Sequence, residues 1–498
     1  MQPVTVRCRA PEGGRAPEVF VEVHVGPGLP GLSVVGLVET AVRESRDRVR
    51  AALQNSGFEM PDRRIVVSLA PADLPKSGSR YDLPIAVGIL CASRQLPTTK
   101  LEHYELTGEL ALSGELRAVP GLLPVAMAAL SDGHSIIIPR AAEAEAGLLR
   151  DSRVRVAENL LAVAAFLRDE QPLPSAQPQV LRNGPPAPDL SDVTGQSAAR
   201  RALEIAAAGG HHLLMCGPPG TGKSMLARRL PSILPAPDHQ RALQTAALYS
   251  LKGIPTRLWP DPGAPAFRAP HHTASAAALA GGGSIPTPGE LSLAHNGVLF
   301  LDELAEFKRS ALEVLREPLE TGVISIARAN RTVSFPAQTQ LVAAMNPCPC
   351  GYLGDPQHEC RCSPDQIRRY RERLSGPFLD RIDIGLNVSR EQPLLFDAPL
   401  AESSAVVRQR VEHLQCLART RANKLNAELD NEELRLHCRP DPAGMALLNE
   451  AADKLGLSHR ACNRSLRVAR TIADTLDSAA ISAAHVAEAL SLRPMLDC

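Results

Sequence analysis

Gly217-Pro-Pro-Gly-Thr-Gly-Lys-Ser224 lies between an apolar run, His212-Leu-Leu-Met-Cys216, and a helix-forming run, Met225-Leu-Ala-Arg-Arg-Leu230. A G-x-x-x-x-G-K-S spacing between a strand and a helix is the form of a phosphate loop. Gly217, Gly220 and Gly222, with Pro218, Pro219 and Thr221 between them, let the backbone curl so that successive N–H groups face a β-phosphate. Lys223 would neutralise the β/γ oxygens, and Ser224 would offer its hydroxyl to Mg²⁺. An accidental glycine-rich turn is the bland alternative, and the strand–loop–helix context argues against it. The chain is therefore expected to bind ATP together with Mg²⁺.

Further along, Gly297-Val-Leu-Phe-Leu-Asp302-Glu303 is an apolar run ending in two acids. A strand buried on both faces that delivers carboxylates at its C-terminal end suits Mg²⁺ coordination. Asp302 would hold the ion, usually through water, and Glu303 would polarise the attacking water. Alone, the segment reads equally well as a strand end capped by solvated acids. Its place downstream of Lys223 favours the catalytic reading. A third apolar run, Leu341-Val-Ala-Ala-Met-Asn346, ends in an amide able to orient the same water.

The 498 residues suffice for two to four domains. Residues 1–170 alternate β-branched runs with helical patterns, an α+β region, and 171–188 form a proline-rich linker. Strands and helices alternate over 189–395, and 396–498 are helical in pattern. No uninterrupted apolar stretch reaches about 18 residues, and the N-terminus lacks an apolar signal core, so a cytoplasmic location without a membrane partner is expected. Lysine plus arginine equals aspartate plus glutamate at 54 each, so bulk charge gives no sign of nucleic acid. With only nine Phe, five Tyr and one Trp, a base-stacking platform is disfavoured. Any DNA contact should run from clustered arginines to phosphates.

Long stretches then resemble the AAA+ superfamily, more narrowly the Mg-chelatase-like group that includes the ComM (YifB) competence proteins. They are Asp192-Val-Thr-Gly-Gln196, Arg268-Ala-Pro-His-His-Thr-Ala-Ser275, Pro288-Gly-Glu-Leu-Ser-Leu-Ala-His-Asn-Gly-Val-Leu-Phe-Leu-Asp-Glu303, Leu315-Arg-Glu-Pro-Leu-Glu320 and Ser375-Gly-Pro-Phe-Leu-Asp-Arg-Ile-Asp383, with Val468-Ala-Arg-Thr-Ile-Ala-Asp474 towards the end. The resemblance implies an α/β fold: an AAA+ P-loop domain with a helical C-terminal lid, preceded by an α+β domain like the Lon protease domain of ribosomal-protein-S5-like fold. It implies that Asn346 is sensor 1, that Arg381 is an arginine finger reaching a neighbour's γ-phosphate, and that Arg460 is sensor 2 from the lid. Without the resemblance, each arginine would read as a surface ion pair. A finger acting in trans implies a ring of subunits, a hexamer.

Related motors carry an insertion before sensor 1 that points into the ring pore. Here Val323–Phe335 alternates around a polar tip, which makes Arg328 and Arg331 candidates for DNA phosphate contact. A solvated hairpin tip stays open as the alternative. Arg368 and Arg369 open the densest basic stretch, a second candidate whose alternative is a solvated helix face. His271-His272 invites a metal reading, but adjacent side chains diverge, so a structural or interface role is expected.

Cys348-Pro-Cys350 and Cys360-Arg-Cys362 make two C-x-C clips. Four thiolates suit tetrahedral Zn²⁺, with His358 a spare ligand, while reduced and unliganded cysteines stay open. In the N-terminal region, Pro71–Asp82 and Thr107–Gly114 carry the Lon resemblance. Matching the patterns places Arg80 where the nucleophilic serine should stand and Leu123 where its lysine should, so the protease dyad is missing despite neighbouring Ser79. The domain is expected to assist assembly or bind DNA. The whole-length resemblance implies an ATP-driven DNA motor, helicase-like, for branch migration in recombination during natural transformation. A metal-chelatase subunit and an ATP-switched protein remodeller remain the alternatives.

Overall fold

A computed structural model describes residues 3–35, 40–179, 188–283, 285–328, 331–390 and 401–493. The chain divides into two units, Met1–Asn183 with Leu243–Pro262, and Gly184–Ala242 with Gly263–Cys498. Residues 243–262 lie inside the stretch expected to form the ATPase, yet fold with the first unit.

The first unit is built on a seven-stranded sheet. Its strands are β1 (Val4–Arg9), β2 (Glu18–Gly26), β3 (Gly31–Val35), β4 (Arg64–Ala70), β5 (Tyr104–Leu106), β6 (Ser135–Pro139) and β7 (Val154–Ala157). They lie in the order β3-β4-β2-β1-β5-β6-β7. Strict alternation in β2 explains its place: Val19, Val21, Val23 and Val25 are buried while Glu22 and His24 face out. Each valine contributes about 1.5–3 kcal/mol by leaving water. The wholly buried helix Asp82–Ala92 covers this face and tolerates Asp82 because Arg48 pairs with it at 2.8 Å.

The second unit holds a five-stranded parallel sheet: β8 (Leu213–Cys216), β9 (Phe267–Arg268), β10 (Val298–Leu301), β11 (Gln340–Met345) and β12 (Ile384–Asn387). The order is β9-β10-β11-β8-β12. Strands β10 and β11 are buried along their whole length, as central parallel strands must be, which is why they read as unbroken apolar runs. Helices Ser404–Ala422, Pro442–Leu455, His459–Thr475 and Ala483–Ser491 complete the unit. Val411, Leu448, Ile472 and Val486 of these helices share a core with Leu213, Met215 and Val298 of the sheet. The architecture is the α/β fold with a helical C-terminal region that the family resemblance implied. Val323–Arg328 and Arg331–Pro336 pair as a separate antiparallel hairpin, with Arg328 opposite Arg331. No helix among the described residues is long and apolar enough to cross a membrane.

Candidate nucleotide-binding site

The strand order places the site. In β10-β11-β8, three neighbouring parallel strands end side by side, and their C-terminal ends carry Asp302-Glu303, Asn346 and the loop from Gly217 to Ser224. Ligands of open α/β sheets bind at such ends. The loop needs glycine for two reasons. Gly220 and Gly222 hold φ of 79° and 87°, the left-handed region that side chains disfavour. A Cβ at Gly217 would come within 2.2 Å of the Val388 carbonyl oxygen.

Helix Lys223–Ile233 starts directly from this loop, so its first N–H groups face the loop's concavity. Lys223 is buried and its Nζ donates to the Gly217 carbonyl at 2.6 Å, the Pro218 carbonyl at 2.8 Å and Asn346 Oδ1 at 3.2 Å. Burial holds its ammonium below the usual lysine range, opposed by Cys216 and Asp302. Ser224 Oγ donates to Asp302 Oδ2 at 2.6 Å. The hydroxyl and carboxylate expected to share Mg²⁺ are thus already in contact, and a hard-oxygen pair is the donor chemistry that ion prefers. The residues present therefore fit the implied Mg²⁺ and triphosphate.

Glu303 sits at φ 52°, in the left-handed region, its N–H donating to Asp302 Oδ1 at 2.9 Å. A non-glycine residue there is sterically disfavoured and has to be held by its surroundings. Its carboxylate lies 2.9 Å from His272 Nδ1. In the sequence His272 reads as a structural or interface residue; only the fold brings it to Glu303 from 31 positions away. Its one sequence signal was membership of the Arg268–Ser275 stretch. The two rings do not diverge as their adjacency in sequence suggests: His271 stacks obliquely on His272, centroids 4.1 Å apart, while its Nδ1 meets Thr273 Oγ1 at 2.9 Å and that of His272 faces Glu303.

Arg381 and Arg460 occupy a different place. Arg381 is buried, donating Nε to the Arg316 carbonyl at 3.2 Å and Nη1 to the Pro377 carbonyl, while Nη2 pairs with Glu320 Oε2 at 3.1 Å. Arg460 pairs with Glu320 Oε1. One carboxylate therefore gathers both arginines, and none of these contacts involves Lys223, Ser224, Asp302, Glu303 or Asn346. Nearby, burial alone would raise the Asp383 carboxyl, but His211 and Arg464 hold it well below the usual range. The side chains of Arg328 and Arg331 lie outside the described residues. Arg368 is exposed and bound locally to Asp365 at 2.8 Å, and Arg369 is exposed on the same helix.

The four cysteines converge: the Sγ atoms of Cys348, Cys350 and Cys360 lie 3.4–3.6 Å apart, and all four fall within 4.8 Å of one another. His358 is diverted, its Nδ1 3.7 Å from Asp355 and its ring against Tyr352. In the first unit, Arg80 is buried and donates Nη2 to the Pro120 carbonyl at 2.8 Å, with Nε and Nη1 unpartnered. The Leu123 N–H donates to Glu145 Oε1 at 2.7 Å and Ser250 Oγ at 3.2 Å. Ser79 donates to Glu109. No serine–lysine pair stands at the positions the Lon pattern marks.

Comparison with known proteins finds relatives along nearly the whole chain. Residues 189–394 match the family described as "Magnesium chelatase, subunit ChlI", 21–142 match "Subunit ChlI of Mg-chelatase", and 401–493 match its C-terminal family. The chain is 49% identical over 493 residues to "Uncharacterized protein YifB" of Escherichia coli, covering 98% of this chain and 96% of that protein. It is 48% identical over 504 residues to "Competence protein ComM" of Haemophilus influenzae, covering 99% and 97%. A shorter match, 29% over 136 residues, joins 27% of this chain to 13% of "DNA replication licensing factor MCM4" of Drosophila melanogaster.

Proposed function

This chain belongs to the magnesium-chelatase-like AAA+ family of the YifB and ComM proteins, and from that premise we propose that it is an ATP-driven ring motor acting on DNA. Its task in this reading is helicase-like branch migration during recombination in natural transformation, carried out in the cytoplasm by a hexamer. The observation that carries the motor reading is that Arg381 comes just before β12, where Asp383 accepts the His212 N–H at 3.0 Å, so it lies by the N-terminal ends of parallel strands whose C-terminal ends carry the phosphate site. A site that holds lysine, hydroxyl, two acids and a sensing amide but has its arginines elsewhere is completed by an adjoining subunit.

Lys223 and the loop N–H groups bind the phosphates, and Asn346 keeps Lys223 oriented through its 3.2 Å bond. Ser224 and Asp302 would hold Mg²⁺, which supplies charge neutralisation at the phosphates. Glu303 holds and polarises the attacking water, and His272 fixes the direction of its carboxylate. Arg381 of one subunit stabilises charge developing in the next, an effect on the order of 10³–10⁵ in rate. Arg460 acts from the same cluster. Hydrolysis then moves the arginine-tipped hairpin, with Arg328 and Arg331, along DNA phosphates, and Arg368 and Arg369 add backbone contacts. The printed name of the DNA replication licensing factor supports the DNA assignment over the 27% of this chain that it matches, and that of the competence protein supports the setting in transformation.

The test is an ATPase assay with single-stranded, duplex and branched DNA in parallel. Stimulation of several-fold, largest with branched DNA, is the expected result. Unstimulated full-rate turnover by a monomer overturns the reading. The chelatase family matches favour a second reading, insertion of Mg²⁺ into a porphyrin, which porphyrin-dependent ATPase activity would reveal.

A further inference from the structure

The four clustered cysteines take no part in the chemistry above, yet they begin two residues beyond Asn346. A tetrahedral zinc–thiolate centre with bonds of about 2.3 Å has sulfur–sulfur edges of about 3.8 Å. The distances Cys348–Cys350 at 3.4 Å, Cys348–Cys360 at 3.6 Å and Cys350–Cys360 at 3.6 Å come within a few tenths of an ångström of those edges. They are far longer than the roughly 2.05 Å of a disulfide. The Cys350 backbone N–H points at Cys362 Sγ at 3.4 Å, the kind of outer bond that steadies a thiolate ligand. All four donors are soft, and His358 is occupied with Asp355 and Tyr352.

The cluster is also bound to the nucleotide loop. Gly351, at φ 86°, closes a turn on the Cys348 carbonyl at 3.0 Å, and a Cβ there would meet Pro219 at 2.8 Å. Arg390 ties the span between the two clips to the same loop: Nη1 donates to Gln357 Oε1 at 2.9 Å and Nη2 to the Pro219 carbonyl at 3.3 Å. Without a cross-link, the segment from Cys348 to Cys362 has no helix or strand of its own to hold that contact.

We propose that Cys348, Cys350, Cys360 and Cys362 bind one Zn²⁺ as an all-thiolate site, and that this centre splints the segment after Asn346 against Pro219 of the phosphate loop. The site does not depend on what the motor acts upon.

The test uses the full chain, expressed with zinc and purified under reducing conditions without chelator. Metal analysis should find about one zinc per chain, and its absence overturns the site. Cobalt exchanged into the wild-type chain should show intense thiolate charge-transfer bands; weak bands of oxygen or nitrogen ligation overturn it. Cys360→Ser with Cys362→Ser should lose the metal, and retention of a full equivalent overturns the ligand assignment. Because that variant can fail to fold, Arg390→Ala tests the splint separately. It should keep its zinc while its affinity for a fluorescent ADP analogue falls by about three- to tenfold. Unchanged affinity in both Arg390→Ala and the metal-stripped wild type overturns the coupling.

Discussion

Arg381→Ala offers the most discriminating perturbation of the arginine cluster. The side chain gives up bonds to the Pro377 and Arg316 carbonyls and its pair with Glu320. Losing partly buried hydrogen bonds of this kind costs about 1–3 kcal/mol of local stability. None of those bonds touches the phosphate loop, so nucleotide affinity should stay as in the wild type, which certifies the variant's own site. Turnover should fall by about 10³ or more. The variant is then mixed with Lys223→Ala subunits, which cannot bind ATP but keep Arg381. With equal random mixing, about half the sites retain Lys223 and about half of those face an intact Arg381, so about a quarter of wild-type turnover should return. An arginine serving its own subunit would restore nothing. A coupled-enzyme ATPase titration across mixing ratios reads the result directly. A mixture no more active than its components apart refutes action in trans.

Lys223→Ala alone should abolish nucleotide binding in a calorimetric titration, since it removes the cation held by Gly217, Pro218 and Asn346. Glu303→Gln should bind ATP normally yet hydrolyse it about 10²–10⁴-fold more slowly; full turnover would remove Glu303 from the chemistry. His272→Ala should lower kcat by about tenfold without changing ATP affinity, because it touches Glu303 and not the loop; an effect on affinity alone would refute the assignment. Burial pulls His295 down to about 4, with its Nδ1 accepting the Gln338 N–H at 3.1 Å. The unfolded chain then binds the extra proton as pH falls from about 6.5 towards 4, so acidification from pH 7 to 5 should cost about 2 kcal/mol. Hydrogen exchange along β11 in wild type and His295→Gln checks this, and equal pH dependence in both would exclude the histidine.

Some of this molecule is written in short spans of residues. The loop from Gly217 to Ser224 is contiguous, and its glycines meet φ requirements that only local sequence must satisfy. The alternation of Val19 to Val25 and the apolar runs before Asp302 and Asn346 are local in the same way: the pattern of side chains along a strand is a property of a few neighbours. The wholly buried apolar helix Asp82–Ala92, by contrast, has no polar face whose period could mark it.

What tertiary structure alone decided are the meetings between distant residues. Strand order brings Asp302, Asn346 and Lys223 to one edge, and the chain's path sets His272 on Glu303. Glu320 collects Arg381 and Arg460, although as isolated residues each reads as an ordinary surface charge. Residues 243–262 leave the ATPase stretch to join the first unit, where Ser250 bonds the Leu123 N–H. Composition and spacing name which groups are available, because propensity and periodicity act over one or two turns. Pairing across tens or hundreds of residues depends on which buried faces fit together once loop closure has been met, and that is a property of the assembled core.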